Sequence, residues 1–212
     1  EPEPEPEPEQ SGLEMLFGYL GFQDNPPRVV SNDVPGDGNC FFYALFRALA
    51  HKDFPYLDQL NECFGINTNS EDAFATNMRR LIANAFDGFM SPDVNAAANE
   101  SARVYFEAVY SDGDDANEWT CIPRQQGLGF NAYKQVIAER VRSSKCWMTD
   151  VDGAVAAYIV GNCFDNTEFV QRLTMGQPLP PAQEVERADR VFVQNVGIGN
   201  NPNHFKWLSV AR

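Results

Sequence analysis

The chain has only two histidines, His51 and His204, and five cysteines, none of them spaced as a CxxC pair. An odd count without such spacing argues against a disulfide framework or a zinc site, and it leaves a reducing, cytoplasmic setting as the simpler expectation. For a viral or bacterial source, that setting is the host cytoplasm. Basic residues are also scarce: 16 Lys and Arg stand against 30 Asp and Glu, for a net charge of -14. Nucleic-acid binding draws most of its affinity from Lys and Arg on phosphates, so nucleic acid is not an expected partner. Long apolar runs are missing too. Ala154 to Val160 is among the longest, far short of the ~20 residues that cross a bilayer, so no membrane association is expected. The opening Glu-Pro repeats lack the basic start of a secretory signal, which leaves secretion without support.

Two acidic stretches fail as calcium loops. The run that begins at Asp112 has Asn117 and Pro123 where an EF-hand needs Gly and Glu, and the run that begins at Asp150 has Ala154 at its fifth place. No metal and no cofactor are expected.

What is present divides simply. Residues 1–12 are rich in Glu and Pro and read as an extended, disordered arm, because proline removes helix hydrogen bonds and the glutamates repel one another. Residues 13–212 read as a single domain, expected to act as a monomer, with Leu13 to Phe22 as a short docking segment. A short strand is expected at Val29-Val30. After the turn Pro35-Gly36-Asp37-Gly38-Asn39, residues from Phe41 to Leu49 are apolar nearly all round, which predicts a buried helix. Apolar spacings of three and four predict an amphipathic helix over 71–90, and Ser91 and Pro92 start a second that runs to Tyr110. The pair 71–110 is a candidate substrate-binding arm. Further helices are expected at 130–141 and 149–158, with a short one at 166–173. Strands are expected over 190–196 and 204–210, where β-branched residues and alternation dominate. The predicted class is α+β, an α/β sandwich with a small central sheet flanked by helices.

The chemistry concentrates at Asp37-Gly38-Asn39-Cys40, which places a thiol at the positive end of a helix macrodipole. That position favours a thiolate, and the loop's backbone N–H groups are placed to meet an oxyanion. The same stretch also reads as a common turn ahead of a buried cysteine. A thiol nucleophile needs a base. His51 lies eleven residues further along the helix, ~16 Å away at 1.5 Å per residue, too far to reach. By elimination the base is His204, at the start of a predicted strand, although such a histidine also occurs satisfied by solvent.

Pro35-Gly-Asp37-Gly-Asn-Cys40-Phe-Phe-Tyr-Ala44-Leu resembles the nucleophile motif of ovarian-tumour (OTU) cysteine proteases. His204-Phe205 is similar to that family's late His-aromatic motif, and Cys146-Trp147 to the Trp segment before the final strands. The resemblance spans residues 29 to 210 in order. It implies a papain-like thiol protease fold and a deubiquitinase that forms an acyl-enzyme with ubiquitin, polyubiquitin or a related modifier. Cys40 would attack, His204 would transfer the proton, and Asp37 would hold the loop whose Gly38 and Asn39 form the oxyanion hole. Trp147 and Phe205 would pack or line the substrate channel. Many members carry an acid or amide two residues after the histidine, where this chain has Lys206. Asn201, Asn203, Asp33 and Asn32 are candidates to orient the ring instead. Two other readings stay open: an inactive ubiquitin-binding module, and an endopeptidase acting on a polyprotein.

Overall fold

The computed structural model describes residues 26–86, 138–139, 141–143, 146–148, 150–197 and 204–211. The order is β1 (Arg28–Asn32), α1 (Cys40–Ala50), α2 (Tyr56–Phe64), α3 (Glu71–Phe86), α4 (Asp150–Cys163), β2 (Val170–Leu173), α5 (Ala182–Glu186), β3 (Val191–Asn195) and β4 (Phe205–Ala211). The class is α+β, with one four-stranded mixed sheet in the order β1-β4-β3-β2. Strands β1 and β3 run antiparallel to β4, while β2 runs parallel to β3.

Helix α1 is apolar nearly all round because it is enclosed. Phe41, Phe42, Ala44 and Leu45 are fully buried, against the sheet through Phe205 and Val193 and against α3 through Phe74 and Met78. Alternation in β3 and β4 sends Val191, Val193 and Phe205 into this main core, while Phe192 and Leu208 face Val185 of α5 on the other side. Gly153 allows α4 to lie directly on α1, since a Cβ there would come 3.1 Å from the Phe41 ring.

Three expectations change. The segment 166–173 contains no helix, because Val170–Leu173 forms β2, with Val191 bonding back to the Phe169 carbonyl at 2.8 Å. Helix α4 continues to Cys163, five residues past the expected end, and stops where Asn166 N–H caps the Gly161 carbonyl. Helices α2 and α5 were not expected at all. Over 71–86 the expected amphipathic helix forms, with Phe74, Ala75, Met78 and Ile82 fully buried in the main core. Residues 87–110, like 13–22 and most of the expected 130–141 helix, lie outside the described residues; within the last, 138–139 and 141–142 are helical. The Glu-Pro arm lies outside them as well. Among the described residues no helix is long and apolar enough to cross a membrane, and no cluster of three metal-ligating side chains occurs.

Candidate active site

Cys40 is the first residue of α1 and is almost fully buried. The peptide joining His204 to Phe205 turns its N–H onto the Cys40 sulfur, and the N–H groups of Cys40 and Phe41 add to it. The T-shaped contact of Phe41 on Phe205, 5.1 Å between centroids, holds this approach. A helix start and a strand start thus meet at one sulfur.

The expectation of a ready thiolate is corrected. Burial pushes the Cys40 thiol up to about 12, outweighing the amides, and the negative Asp37 raises it further. The sulfur therefore rests as a thiol, and it could act as a nucleophile only with a base to take its proton.

His204 is as buried as Cys40. Its carbonyl accepts from Val196 N–H at 2.8 Å, which extends the β3–β4 ladder to the histidine and fixes its backbone. Its Nε2 lies 2.8 Å from Asp33 Oδ1. A carboxylate accepts, so Nε2 carries the proton. The other ring nitrogen, Nδ1, is buried without a hydrogen-bond partner.

Asp33 is therefore the residue that orients His204. It follows β1 directly, and continuing the register in which Asn32 faces Trp207 places it opposite Lys206. Asn32 does not orient the ring: its amide donates to Ser209 Oγ at 2.9 Å and the Trp207 carbonyl at 3.3 Å, stitching β1 to β4. Arg47 of α1 donates to the Asp33 carbonyl at 3.1 Å and pairs with Glu71, so the Asp33 backbone is tied to the helix that Cys40 begins. Val34 N–H also donates to Asp33 Oδ1, at 3.0 Å. The hydrogen bond from His204 holds the Asp33 carboxyl below its ordinary pKa. Lys206, in the position where an acid or amide was sought, lies 3.9 Å from Asp33 Oδ2 and pairs with the acid rather than with the imidazole. Asn201 and Asn203 lie outside the described residues.

The loop before Cys40 is self-satisfied. Asp37 Oδ1 accepts the Asn39 N–H at 2.8 Å, and the Asp37 carbonyl accepts the Cys40 N–H at 3.2 Å. Asp37 thus bonds across the turn, and the amides of Asn39 and Cys40 are engaged within the loop itself. Nor does the turn use left-handed glycines, since the positive-φ glycines among the described residues are Gly65, Gly176 and Gly197.

Beneath the loop lies a residue the sequence reading missed. Arg79 of α3 is 1 % exposed; it donates to Asn39 Oδ1 at 2.7 Å, to the carbonyls of Val141 at 2.8 Å and Cys146 at 2.9 Å, and to that of Gly38. Its guanidinium lies over the Phe42 ring. Asn39 continues the network through Tyr43 to Asp72, also on α3. A signal existed: Arg79 stands four residues after Ala75 and three before Ile82, a charge on the helix's apolar stripe.

Phe205 is 2 % exposed and packs in the core, so it is no channel wall. Trp147 is half-buried against the same core. His51 caps the far end of α1 with its ring 5.0 Å from Trp207, remote from Cys40. Comparison with protein-family models, curated proteins and solved structures returned no match to this chain.

Proposed function

We propose that this chain is a cysteine-type deubiquitinase of the OTU kind, hydrolysing the bond after a ubiquitin C-terminus with Cys40 as nucleophile, His204 as base and Asp33 as the acid that orients it. The observation that carries the reading is a buried thiol against the amide next to His204, with that imidazole bonded to Asp33 through Nε2 and unpartnered at Nδ1. A cysteine buried only for packing has no need of a second buried, carboxylate-oriented histidine beside it.

The placement supports the following chemistry. Nδ1 takes the Cys40 proton as sulfur attacks the scissile carbonyl, which offsets the penalty that burial sets on the thiolate. Asp33 holds the ring and stabilises the imidazolium that forms. The tetrahedral adduct collapses as Nδ1–H protonates the leaving amine, leaving ubiquitin acylated on sulfur. Water, deprotonated by His204, then attacks the thioester and releases the ubiquitin carboxylate and the free thiol. Asp33 and Asp37 are both exposed and supply negative charge suited to the Arg-containing tail of ubiquitin.

The test is reaction with ubiquitin bearing an electrophilic C-terminus, beside Cys40→Ala and His204→Ala. The expected result is a covalent adduct that C40A abolishes and H204A weakens. A chain that forms no adduct yet binds ubiquitin is a binding module. One that ignores ubiquitin and cuts a peptide through Cys40 is an endopeptidase.

A further inference from the structure

The peptide unit between Gly38 and Asn39 is gripped at both ends. Its carbonyl points into the protein and accepts from Arg79, and its N–H points the other way, onto the exposed carboxylate of Asp37. Gly38 carries no Cβ, so sterics alone do not stop this unit from turning over. Electrostatics do. A reversed peptide would set its N–H against a buried guanidinium and aim its carbonyl oxygen outward, toward the face where a substrate carbonyl turns negative.

We infer that Arg79 is a positioning residue for acyl transfer at Cys40: by anchoring the Gly38 carbonyl inside, it makes the loop present the Asn39 N–H, and not an oxygen, to the developing oxyanion. The inference rests on Cys40 being the proposed nucleophile. In the free chain Asp37 occupies the Asn39 N–H, and because that carboxylate is exposed, it is free to swing aside as the substrate oxygen arrives. Arg79 also binds the Cys146 carbonyl, so the anchor reaches the segment that carries Trp147. Asn39 Oδ1, held by the same guanidinium, keeps the side chain of the peptide's second residue inside with it.

Two reactions of the same sulfur separate this role from general structure. Alkylation by iodoacetamide displaces iodide at a tetrahedral carbon and develops no carbonyl oxyanion. Acylation by p-nitrophenyl acetate forms the thioester through a tetrahedral oxyanion and expels p-nitrophenolate. In Arg79→Lys, which keeps a buried cation but not the guanidinium fork, Cys40 alkylation is expected to stay near the parent rate. Acylation is expected to fall roughly 100-fold, the size associated with losing one oxyanion donor. Parallel loss of both rates, or loss of neither, overturns the inference.

If R79K does not fold, the native chain carrying 13C-glycine and 15N-asparagine answers instead, its Gly38–Asn39 signal told from those of Gly161–Asn162 and Gly199–Asn200 by its loss in Asn39→Gln. The amide proton of the Gly38–Asn39 pair is expected to move downfield when a peptide aldehyde adds to Cys40, and an unmoved signal overturns the inference. A native chain that acylates at Cys40 but ignores ubiquitin sinks the ubiquitin reading alone, and Arg79 is still judged by the ester. A native chain whose Cys40 acylates no faster than the C40A background sinks both.

Discussion

The two halves of the candidate site are built by opposite means. The nucleophile half is closed: Cys40 is buried at a helix start, and its loop is gripped from beneath by a buried arginine. The base half has a buried imidazole, but its carboxylate, with 66 % of the Asp33 side chain exposed, stands at the surface with a lysine beside it. The closed half fixes geometry and costs reactivity, because the burial that orders the sulfur also keeps it protonated. On the proposed reading the open half supplies what the closed half lacks, a proton acceptor whose partner acid needs no desolvation to stay ionised.

The sharpest test of this division uses the two histidines. His204→Ala is expected to lower kcat for ubiquitin hydrolysis by ~1,000-fold, within the usual range for loss of general base catalysis. His51→Ala, at the other end of α1, is expected to leave it unchanged. Equal effects would break the assignment. Next in size is Asp33→Ala, which leaves Nε2 without its acceptor and the ring free to turn; a loss on the order of 100-fold in kcat is expected, the scale of a misplaced catalytic group. The same acid leaves a mark on stability. Its carboxyl is held below its ordinary pKa by His204, so its contribution is present above that ordinary value and is lost as pH falls through the folded one. Acid unfolding curves of native chain and Asp33→Asn are therefore expected to converge at the lowest pH.

A third test addresses the closed half directly. With the thiol raised to about 12, iodoacetamide labelling of Cys40 is expected to climb by ~10-fold per pH unit through the neutral and alkaline range, following the thiolate fraction. A plateau near neutrality would mean a preformed thiolate and would reverse the contrast between the halves. The smallest effect is expected for Lys206→Ala. Its 3.9 Å contact with an exposed carboxylate is worth little in water, so kcat is expected to change only a few-fold, with the difference fading at high salt.

Local pattern made much of the architecture legible. Helix α1 declared itself through its unbroken apolar face, β3 and β4 through alternation, and His51 was excluded by helix rise alone. The segment that forms β2 misled because its two charged and amide side chains, Gln171 and Arg172, interrupt the apolar pattern; its strand identity comes from pairing with Val191 to Gln194, twenty-one residues away in sequence. Arg79 was passed over because one charge on an apolar stripe reads as an edge position until the carbonyls that enclose it are seen.

By itself the sequence determined a buried helix with a thiol at its start and a late strand opening on a histidine, since each follows from neighbours a few residues apart. Only the tertiary structure decided which acid meets the imidazole, what holds the loop before Cys40 and how deeply the sulfur is buried. Those answers depend on pairs such as Asp33 with His204 and Arg79 with Cys146, and on burial, which belongs to no single stretch of chain.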